Sequence, residues 1–425
     1  MVTISLTGRL ALDGTLDLTV EGLRPGGTVT VGASLQAADG LRWSSSAEYT
    51  AGDDGTVALA TTAPDRGSYQ GADANGLLWS LAPDRREPAE YSALLAGVTP
   101  LEVEITCAAG GRALGAACVT VERAVPGMGR RAIRADGLRG ELFVPPGEGP
   151  FPPVLVVGGS GGDANEGVAA FLAGHGHLAL ALPYFAAPGL PDELVDIELE
   201  YFGRALRWLG SLPEAAPGRT AVVGRSRGGE LALLLGLYLG VDTVVAFVPS
   251  GIVHAGIRKG ADGWLCDVPA WRLGGRALPY LSHAGEQLHW RDGAIVCTPT
   301  YLTALADWER VQAATMPLRE CASRVLLISG TSDDVWPSSL FAELAMAGLQ
   351  GRGGSAGQQH LALPGAGHRF LPPVLPATVP VIRHAQAGER LALGGTAAAN
   401  ARGGAAAYAA MLRMLDGATG EEDRT

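Results

Sequence analysis

Lysine is almost absent from this chain of 425 residues, in which Lys259 is the only one. Arginine therefore carries nearly all of the positive charge, and acidic residues outnumber basic ones by 43 to 32, for a net charge of −11. Because an acidic protein repels phosphate backbones, this balance argues against a nucleic-acid partner. We attribute the shortage of lysine to coding bias rather than to function.

Cysteine is also scarce, with five residues that are widely spaced along the chain. An odd number at such spacing indicates neither a disulfide framework nor a metal cluster. Cys107 and Cys118 could face each other across a hairpin, but we favour reduced core thiols for both.

Long hydrophobic runs are missing as well. Runs such as Val154 to Val157 and Leu231 to Leu235 are among the longest, whereas a helix needs roughly 20 apolar residues to cross a bilayer. Residues 1–9 lack the charged start and continuous apolar core of a secretory signal. We therefore expect a cytoplasmic protein with no membrane partner.

The remaining composition is that of a globular protein, with 47% hydrophobic and 18% charged residues. A chain of this length allows two or three domains, at roughly 150 residues each. In residues 1–125, short alternating runs such as Thr28–Leu35 are divided by Gly, Pro and Asp. This pattern, with no convincing helical period, predicts an antiparallel sandwich of about seven strands.

The pattern changes after residues 124–133, a turn-rich stretch that we interpret as a linker or a domain-crossing strand. Beyond it, continuous apolar runs alternate with helical stretches, which is typical of a parallel sheet buried on both faces. These runs are Val154–Val157, Leu178–Leu182, Ala221–Val223, Thr243–Val248 and Val325–Ser329. We predict a doubly wound α/β domain over residues 126–416 and a polar tail at 417–425.

The segment Gly224-Arg-Ser226-Arg-Gly228 lies between a short apolar run and a Leu-rich one. A Gly-x-Ser-x-Gly pattern between strand and helix predicts a serine nucleophile on a sharp turn, where the glycines let strand and helix approach. The amino end of the helix would stabilise negative charge developing in acyl transfer. An ordinary glycine turn is the alternative, since the pattern alone is weak.

A serine nucleophile needs a base beside it and an acid that orients the base. In this kind of fold the acid comes next along the chain and the histidine last. Asp333 and Asp334 follow an apolar run, and His368 lies in a later glycine-rich turn. We predict Asp333 as the acid because of its offset from Gly330, and Asp334 as a capping or solvated residue. The other histidines are interpreted as core or surface residues: His175, His177, His254, His283, His289, His360 and His384.

Acyl transfer also needs donors for the oxyanion. We predict the N–H of Arg227 as one, because it follows the nucleophile. Ser160 or Gly161 would supply the other, because the loop 158–162 is so rich in glycine that its backbone can approach a substrate. An ordinary tight turn or a phosphate-binding loop is the alternative for that segment.

Two further features leave alternatives open. Arg225 and Arg227 could pair with a phosphate or carboxylate of the substrate, although ion pairs within the scaffold are the more common use. The segment 251–302 could form a lid and acyl pocket or belong to the core. Its aromatic residues include Trp264, Trp271, Trp290 and Tyr301.

Several motifs together resemble those of the acyl-CoA thioesterase and bile acid-CoA:amino acid N-acyltransferase family, over nearly the full length of the chain. They are Leu23–Leu35, Gly67–Leu81, Ala173–His177, Leu199–Ala205, Asp333–Ser338, Pro364–His368 and Gly394–Arg402. Gly-x-Ser-x-Gly is shared by many hydrolases, whereas its combination with the first two motifs is specific. The resemblance implies an α/β-hydrolase catalytic domain preceded by an all-β immunoglobulin-like sandwich.

The resemblance further implies a triad of Ser226, Asp333 and His368, and acyl-CoA thioesters as substrates. An acyl-carrier thioester is the alternative substrate, and we expect no cofactor and no metal. Amino-acid-conjugating members carry cysteine at the nucleophile, whereas this chain has serine, as the thioesterases do. This favours hydrolysis through an acyl-serine intermediate. The alternatives are transfer to an amine or hydroxyl acceptor, an esterase or peptidase with the same triad, and last a non-catalytic binding protein.

Overall fold

A computed structural model describes residues 2–38, 40–84, 94, 97–260, 263–350 and 357–417 of the chain. At residues 263–265 it describes the backbone alone. The chain divides into two compact units. The first comprises Met1–Val125, Phe370–Pro380 and Thr396–Tyr408, and the second comprises Pro126–Arg369, Val381–Gly395 and Ala409–Thr425. Two segments that the sequence assigns to the second domain thus group with the first, because the chain returns there twice. Apart from Gly417, the predicted tail lies outside the described residues.

The first unit is built mainly from β-strands. They are β1 (Thr3–Leu6), β2 (Arg9–Ala11), β3 (Leu18–Glu21), β4 (Thr28–Gln36), β5 (Arg42–Thr50), β6 (Val57–Ala58), β7 (Arg66–Gly67), β8 (Ala82–Pro83), β9 (Leu101–Ala109) and β10 (Arg112–Glu122). One sheet has the order β2-β10-β9-β4-β5-β7, with β8 on β5, and a second has the order β1-β3-β6. Neighbours are antiparallel except β2 and β10.

Strand β4 illustrates why these segments form half-buried sheets. Its side chains alternate between buried and more exposed positions, with Val29, Val31, Ala33 and Leu35 in the core. A period of two places alternate residues on opposite faces. The predicted antiparallel strands are confirmed, and a short helix at Gly76–Trp79, α1, was not predicted. The immunoglobulin-like arrangement stays a prediction.

The two cysteines of the first unit are free thiols with different surroundings. Cys107 is buried in β9, and Cys118 is exposed in β10. In the register of these strands Cys107 lies opposite Gly115, so the two cysteines do not face each other. The prediction of reduced thiols is confirmed, whereas the core position is wrong for Cys118 because its side chain faces solvent.

The second unit contains seventeen named strands in its described part. They are β11 (Gly129–Ile133), β12 (Gly140–Val144), β13 (Pro153–Val157), β14 (Leu178–Ala181), β15 (Ile197–Glu198), β16 (Ala221–Arg225), β17 (Thr243–Phe247), β18 (Arg258–Gly260), β19 (Gly263–Leu265), β20 (Trp271–Leu273), β21 (Arg276–Ala277), β22 (His289–Arg291), β23 (Ala294–Val296), β24 (Arg324–Gly330), β25 (Gln358–Leu363), β26 (Val381–Arg383) and β27 (Arg390–Ala392).

The main sheet of this unit has eight strands in the order β11-β12-β14-β13-β16-β17-β24-β25. Strands β11 and β12 run antiparallel to their neighbours, and the other six are parallel. All five strands predicted from apolar runs are confirmed, and their side chains are almost entirely buried. The stretch interpreted as a linker or crossing strand contributes the edge strand β11.

Over residues 97–260, 263–350 and 357–417, the helices are α2 (Glu166–Gly174), α3 (Leu199–Gly210), α4 (Arg227–Leu239), α5 (Thr298–Ala304), α6 (Trp308–Ala314), α7 (Ser338–Leu349) and α8 (Ala397–Leu415), with a 3-10 turn at Leu318–Glu320. The helix predicted after Ser226 is confirmed as α4, and α3 is one of the helical stretches that alternate with the strands. Within the described ranges, no helix combines the length and apolar character needed to cross a membrane.

The parallel arrangement brings four loops to one edge of the sheet. Strands β13, β16, β24 and β25 are parallel members of this sheet, so their carboxyl ends share that edge. Ligand and catalytic sites of open α/β sheets form at this edge. The predicted oxyanion loop, nucleophile, acid and histidine each follow one of these strands.

Candidate active site

Ser226 lies on a strained turn between β16 and α4. Its backbone has φ of 59° and ψ of −120°, a conformation that residues with side chains rarely adopt. The Ser226 N–H donates to the carbonyl of Phe247 at 2.9 Å, and the Ser226 carbonyl accepts from Gly229 and Glu230. Because its hydroxyl does not cap the helix, Oγ remains available for chemistry. This is the geometry of a nucleophile elbow.

The glycines on either side of this turn are required by close backbone approach. A Cβ at Gly224 would lie 1.9 Å from the carbonyl oxygen of Gly228. A Cβ at Gly228 would lie 2.3 Å from the carbonyl oxygen of Gly158. Side chains at these positions would therefore separate the helix from the strands that hold the serine.

Asp333 and His368 form a buried hydrogen-bonded pair. His368 Nδ1–H donates to Asp333 Oδ2 at 2.8 Å, with side chains 10% and 1% exposed. Asp333 Oδ1 accepts from the N–H groups of Val335 at 2.9 Å and Trp336 at 3.3 Å. Since Nδ1 carries the proton, neutral His368 has an unprotonated Nε2 that can act as a base.

One backbone contact joins the acid and histidine turns directly, and a second links the histidine turn to Leu393. Ser332 N–H donates to the carbonyl of Ala366 at 2.9 Å, and His368 N–H donates to that of Leu393 at 2.8 Å. Asp334 points elsewhere, because its carboxylate pairs with Arg291. The structure therefore places Asp333, and not Asp334, against His368.

The remaining contact expected of a triad links Ser226 Oγ with His368 Nε2. Among the described residues, the hydrogen bonds of His368 include the one to Asp333 but none to Ser226. Such contacts are often long in the absence of substrate and tighten in the reacting complex. The role of Ser226 as the nucleophile therefore stays a prediction.

The glycine-rich loop after β13 lies against the nucleophile turn. A Cβ at Gly159 would be 3.4 Å from Ser226 Cβ and 3.9 Å from Ser226 Oγ. The hydroxyl of Tyr184 donates to the Gly158 carbonyl at 2.9 Å, which anchors the loop. Ser160 Oγ is 2.8 Å from His384 Nε2, and the Gly161 carbonyl accepts from the side-chain amide of Gln386 at 3.4 Å.

The backbone N–H and the side chain of Arg227 have different roles. Its N–H is the first of helix α4, so the helix provides it with no internal acceptor. Its buried guanidinium pairs with Glu230 at 3.0 Å and donates to the carbonyl of His254 at 2.8 Å. This favours the scaffold interpretation of the arginine over an ion pair with substrate.

Glu230 is the centre of a buried polar network behind the nucleophile. It is fully buried, and Trp271 Nε1–H donates to its Oε1 at 2.6 Å. Burial raises the pKa of Glu230 to about 7, against the opposing effect of the Arg227 charge. The network connects the first turn of α4, which begins directly after Ser226, to Trp271 and His254.

Two histidines extend this network. His254 Nδ1 lies 3.0 Å from His283 Nε2, and His254 Nε2 lies 2.9 Å from Ser250 Oγ. Burial lowers the pKa of both histidines, that of His283 to about 4. They are therefore neutral at neutral pH. In the part of the chain that the structure describes, no group of three or more His, Cys, Asp or Glu side chains could hold a metal ion.

Two family models match this chain. The N-terminal region of acyl-CoA thioester hydrolase/BAAT matches residues 13–135, and the C-terminal part of BAAT/acyl-CoA thioester hydrolase matches residues 197–421. The chain belongs to the acyl-CoA thioester hydrolase/BAAT family. This confirms the family resemblance drawn from the sequence motifs.

Curated members of the acyl-CoA thioester hydrolase/BAAT family align over most of their length. Human acyl-coenzyme A thioesterase 1 is 31% identical over 403 residues, covering 93% of this chain and 91% of the relative. Human acyl-coenzyme A thioesterase 6 is 30% identical, with coverage of 93% and 91%. Mouse peroxisomal succinyl-coenzyme A thioesterase is 28% identical, with coverage of 94% and 92%.

Similarity to solved structures is lower than to these family relatives. An esterase from Pyrobaculum calidifontis has a TM-score of 0.41 and 17% identity, covering 70% of this chain and 87% of that one. The sheet order, the strained serine turn and the succession of acid and histidine are those of an α/β-hydrolase. The predicted α/β-hydrolase domain is therefore confirmed for this family member.

The aromatic segment 251–302 of this family member has mixed surroundings. Trp271 is buried against the Glu230 network, whereas Trp290 is 56% exposed. Tyr301 packs on His283, with ring centroids 4.3 Å apart. The side chain of Trp264 lies outside the described residues, and the lid role of the segment stays a prediction.

Two residues near the predicted catalytic residues were not predicted from the sequence. Glu230 lies in the Leu-rich run after the nucleophile, where a lone acid among apolar residues could have signalled a buried partner for Arg227. His384 was interpreted as a core or surface residue. Its contact with Ser160 joins residues 224 positions apart in the chain, and no local sequence pattern indicates such a contact.

Proposed function

We propose that this protein hydrolyses acyl-CoA thioesters through an acyl-serine intermediate on Ser226. The observation that carries the proposal is a serine on a strained elbow in the same unit as a buried Asp333–His368 pair. Family membership adds the substrate class, because the aligned human relatives are named acyl-coenzyme A thioesterases.

In the first half of the reaction, Ser226 Oγ bonds to the thioester carbonyl carbon while His368 Nε2 takes the hydroxyl proton. Asp333 accepts the Nδ1–H bond and stabilises the imidazolium. The carbonyl electron pair moves onto oxygen, where the N–H of Arg227 and the N–H of Ser160 or Gly161 stabilise the charge. Collapse of this intermediate breaks the carbon–sulfur bond, and the leaving thiolate receives the proton from His368.

In the second half, water attacks the acyl-serine ester. His368 Nε2 removes a proton from the water, and the same donors stabilise the second oxyanion. The carbon–oxygen bond to Ser226 then breaks, the serine regains its proton from His368, and a carboxylic acid is released.

Purified protein incubated with a panel of acyl-CoAs, with and without glycine or taurine, tests this reaction. We expect thiol release without an acceptor, with the free acid as product. Release only with the amine would indicate acyl transfer, and no release with any thioester would overturn both. The Ser226→Ala variant should be more than about a thousandfold slower, and wild-type turnover in that variant would place the nucleophile elsewhere.

We also propose the finer assignments that the sequence predicts. Residues 1–125 form an immunoglobulin-like sandwich, the reaction requires no cofactor or metal, and the location is cytoplasmic. Acyl-carrier thioesters are alternative substrates to acyl-CoA. The acidic net charge of −11 supports the absence of a nucleic-acid partner.

A further inference from the structure

Ser160 and His384 form a side-chain pair beside the proposed oxyanion site. Their Oγ and Nε2 atoms are 2.8 Å apart. His384 follows β26 in a turn that backbone bonds close, since its N–H donates to Glu389 at 2.9 Å and its carbonyl accepts from Gly388 at 2.7 Å. The imidazole is therefore held in place by the turn.

The direction of the Ser160–His384 hydrogen bond follows from the other ring nitrogen. The backbone N–H of Ala387 donates to His384 Nδ1 at 3.0 Å. An amide N–H can only donate, so Nδ1 carries no proton, and the neutral ring must carry its proton on Nε2. Nε2–H therefore donates to Ser160 Oγ.

The charge state of His384 agrees with this geometry. Burial lowers the pKa of His384 to about 4, with Asp163 opposing the effect and His368 adding to it. The ring is therefore neutral at neutral pH, as the bond from Ala387 requires.

Ser160 Oγ accepts one hydrogen bond and keeps its own hydrogen for another. Within the described ranges, this hydroxyl forms a hydrogen bond with His384, and Ser160 is half-buried. The preceding residue, Gly159, packs against Ser226. The hydroxyl thus has a hydrogen to donate and lies one residue from the contact with the nucleophile.

We infer that the Ser160 hydroxyl is an additional side-chain donor to the oxyanion, with His384 as the residue that orients it. This inference rests on the proposed acyl-serine chemistry. As Ser226 Oγ bonds to the carbonyl carbon and its proton passes to His368, the displaced electron pair on oxygen accepts the Ser160 O–H bond. His384 keeps its proton throughout and is a positioning residue.

Replacement of Ser160 by alanine separates this role from a structural one. We expect kcat for thioester hydrolysis to fall about a hundredfold, with KM little changed, because the bond strengthens only in the transition state. Affinity for an acyl trifluoromethyl ketone, which forms a tetrahedral adduct with serine, should fall by a similar factor. His384→Phe should reproduce part of the loss, and the double variant should lose no more than Ser160→Ala.

The matched control is Ser329→Ala, which removes another serine–histidine bond of 2.8 Å, from Ser329 Oγ to His360 Nε2. That variant should keep wild-type kcat and inhibitor affinity. The inference is overturned if Ser160→Ala keeps wild-type kcat and inhibitor affinity, or if it raises KM alone. An active Ser226→Ala variant would instead overturn the proposed function, so the two failures are distinguishable.

Discussion

Asp333 and Asp334 are neighbours with the same side chain and different surroundings. Asp333 is held by two backbone N–H groups and by His368. Asp334 pairs with Arg291, whose side chain is 58% exposed. An acid can orient an imidazole only when its own position is fixed, so the buried residue meets this requirement.

The substitution Asp333→Asn should lower kcat about ten-thousandfold, because an amide stabilises the wrong tautomer of His368. Asp334→Asn is the matched control, since it removes only a partly exposed ion pair worth about 0–1 kcal/mol. Steady-state thioester hydrolysis by both variants measures the difference. Equal losses in the two variants would contradict the assignment of the acid.

A single residue, Glu230, makes the free energy of unfolding depend on pH. Burial raises its pKa from 4.5 to about 7. An acid with a raised pKa in the folded state stabilises the fold fully below its unfolded pKa of 4.5, and this stabilisation is lost as pH rises through about 7.

The wild type should therefore lose stability relative to Glu230→Gln, which cannot ionise, as pH rises across this window. Between pH 4.5 and about 7, the difference in unfolding free energy between the wild type and Glu230→Gln should change by about 3 kcal/mol. This follows from about 1.4 kcal/mol for each unit of pKa shift. Denaturant unfolding at several pH values measures it. A difference that stays constant with pH would mean that Glu230 has the same pKa in the folded and unfolded states.

At the scale of elements, the strand–turn–helix that presents Ser226 requires a residue without a side chain at position 224. Gly224→Ala should destabilise the fold by more than about 3 kcal/mol, because the new Cβ would lie 1.9 Å from a backbone oxygen. Gly210→Ala, at the end of α3 with open space around it, should instead stabilise by about 0.5–1 kcal/mol. Thermal unfolding distinguishes the two, and similar behaviour would contradict the packing account.

The elements predicted from sequence are those whose pattern is local. Strands β13 and β17 are apolar runs buried on both faces, and Thr243 at the start of β17 is their only polar residue. Strands β22, β23, β26 and β27 have three residues each, too few to show a period. They were not predicted for that reason.

At the scale of the whole molecule, order along the chain predicted more of the candidate site than spacing did. Ser226, Asp333 and His368 could be predicted in this order because each lies in the turn or loop that follows a predicted or apolar segment of the sheet. The Ser160–His384 pair was not predicted, because it joins residues 224 positions apart. The grouping of residues 370–380 and 396–408 with the first unit depends on tertiary contacts in the same way.

The central claim is that Ser226 is the nucleophile of an acyl-thioester hydrolase. A fluorophosphonate probe, which bonds irreversibly to an activated serine, tests it by peptide mass spectrometry. Trypsin is unsuitable because Arg225 and Arg227 flank the serine, so a protease that cleaves after Glu is required. The account predicts one label per chain, on Ser226, with loss of thioester hydrolysis in proportion to labelling. Complete inactivation with the label on another residue, or undiminished labelling of Ser226→Ala, would contradict it.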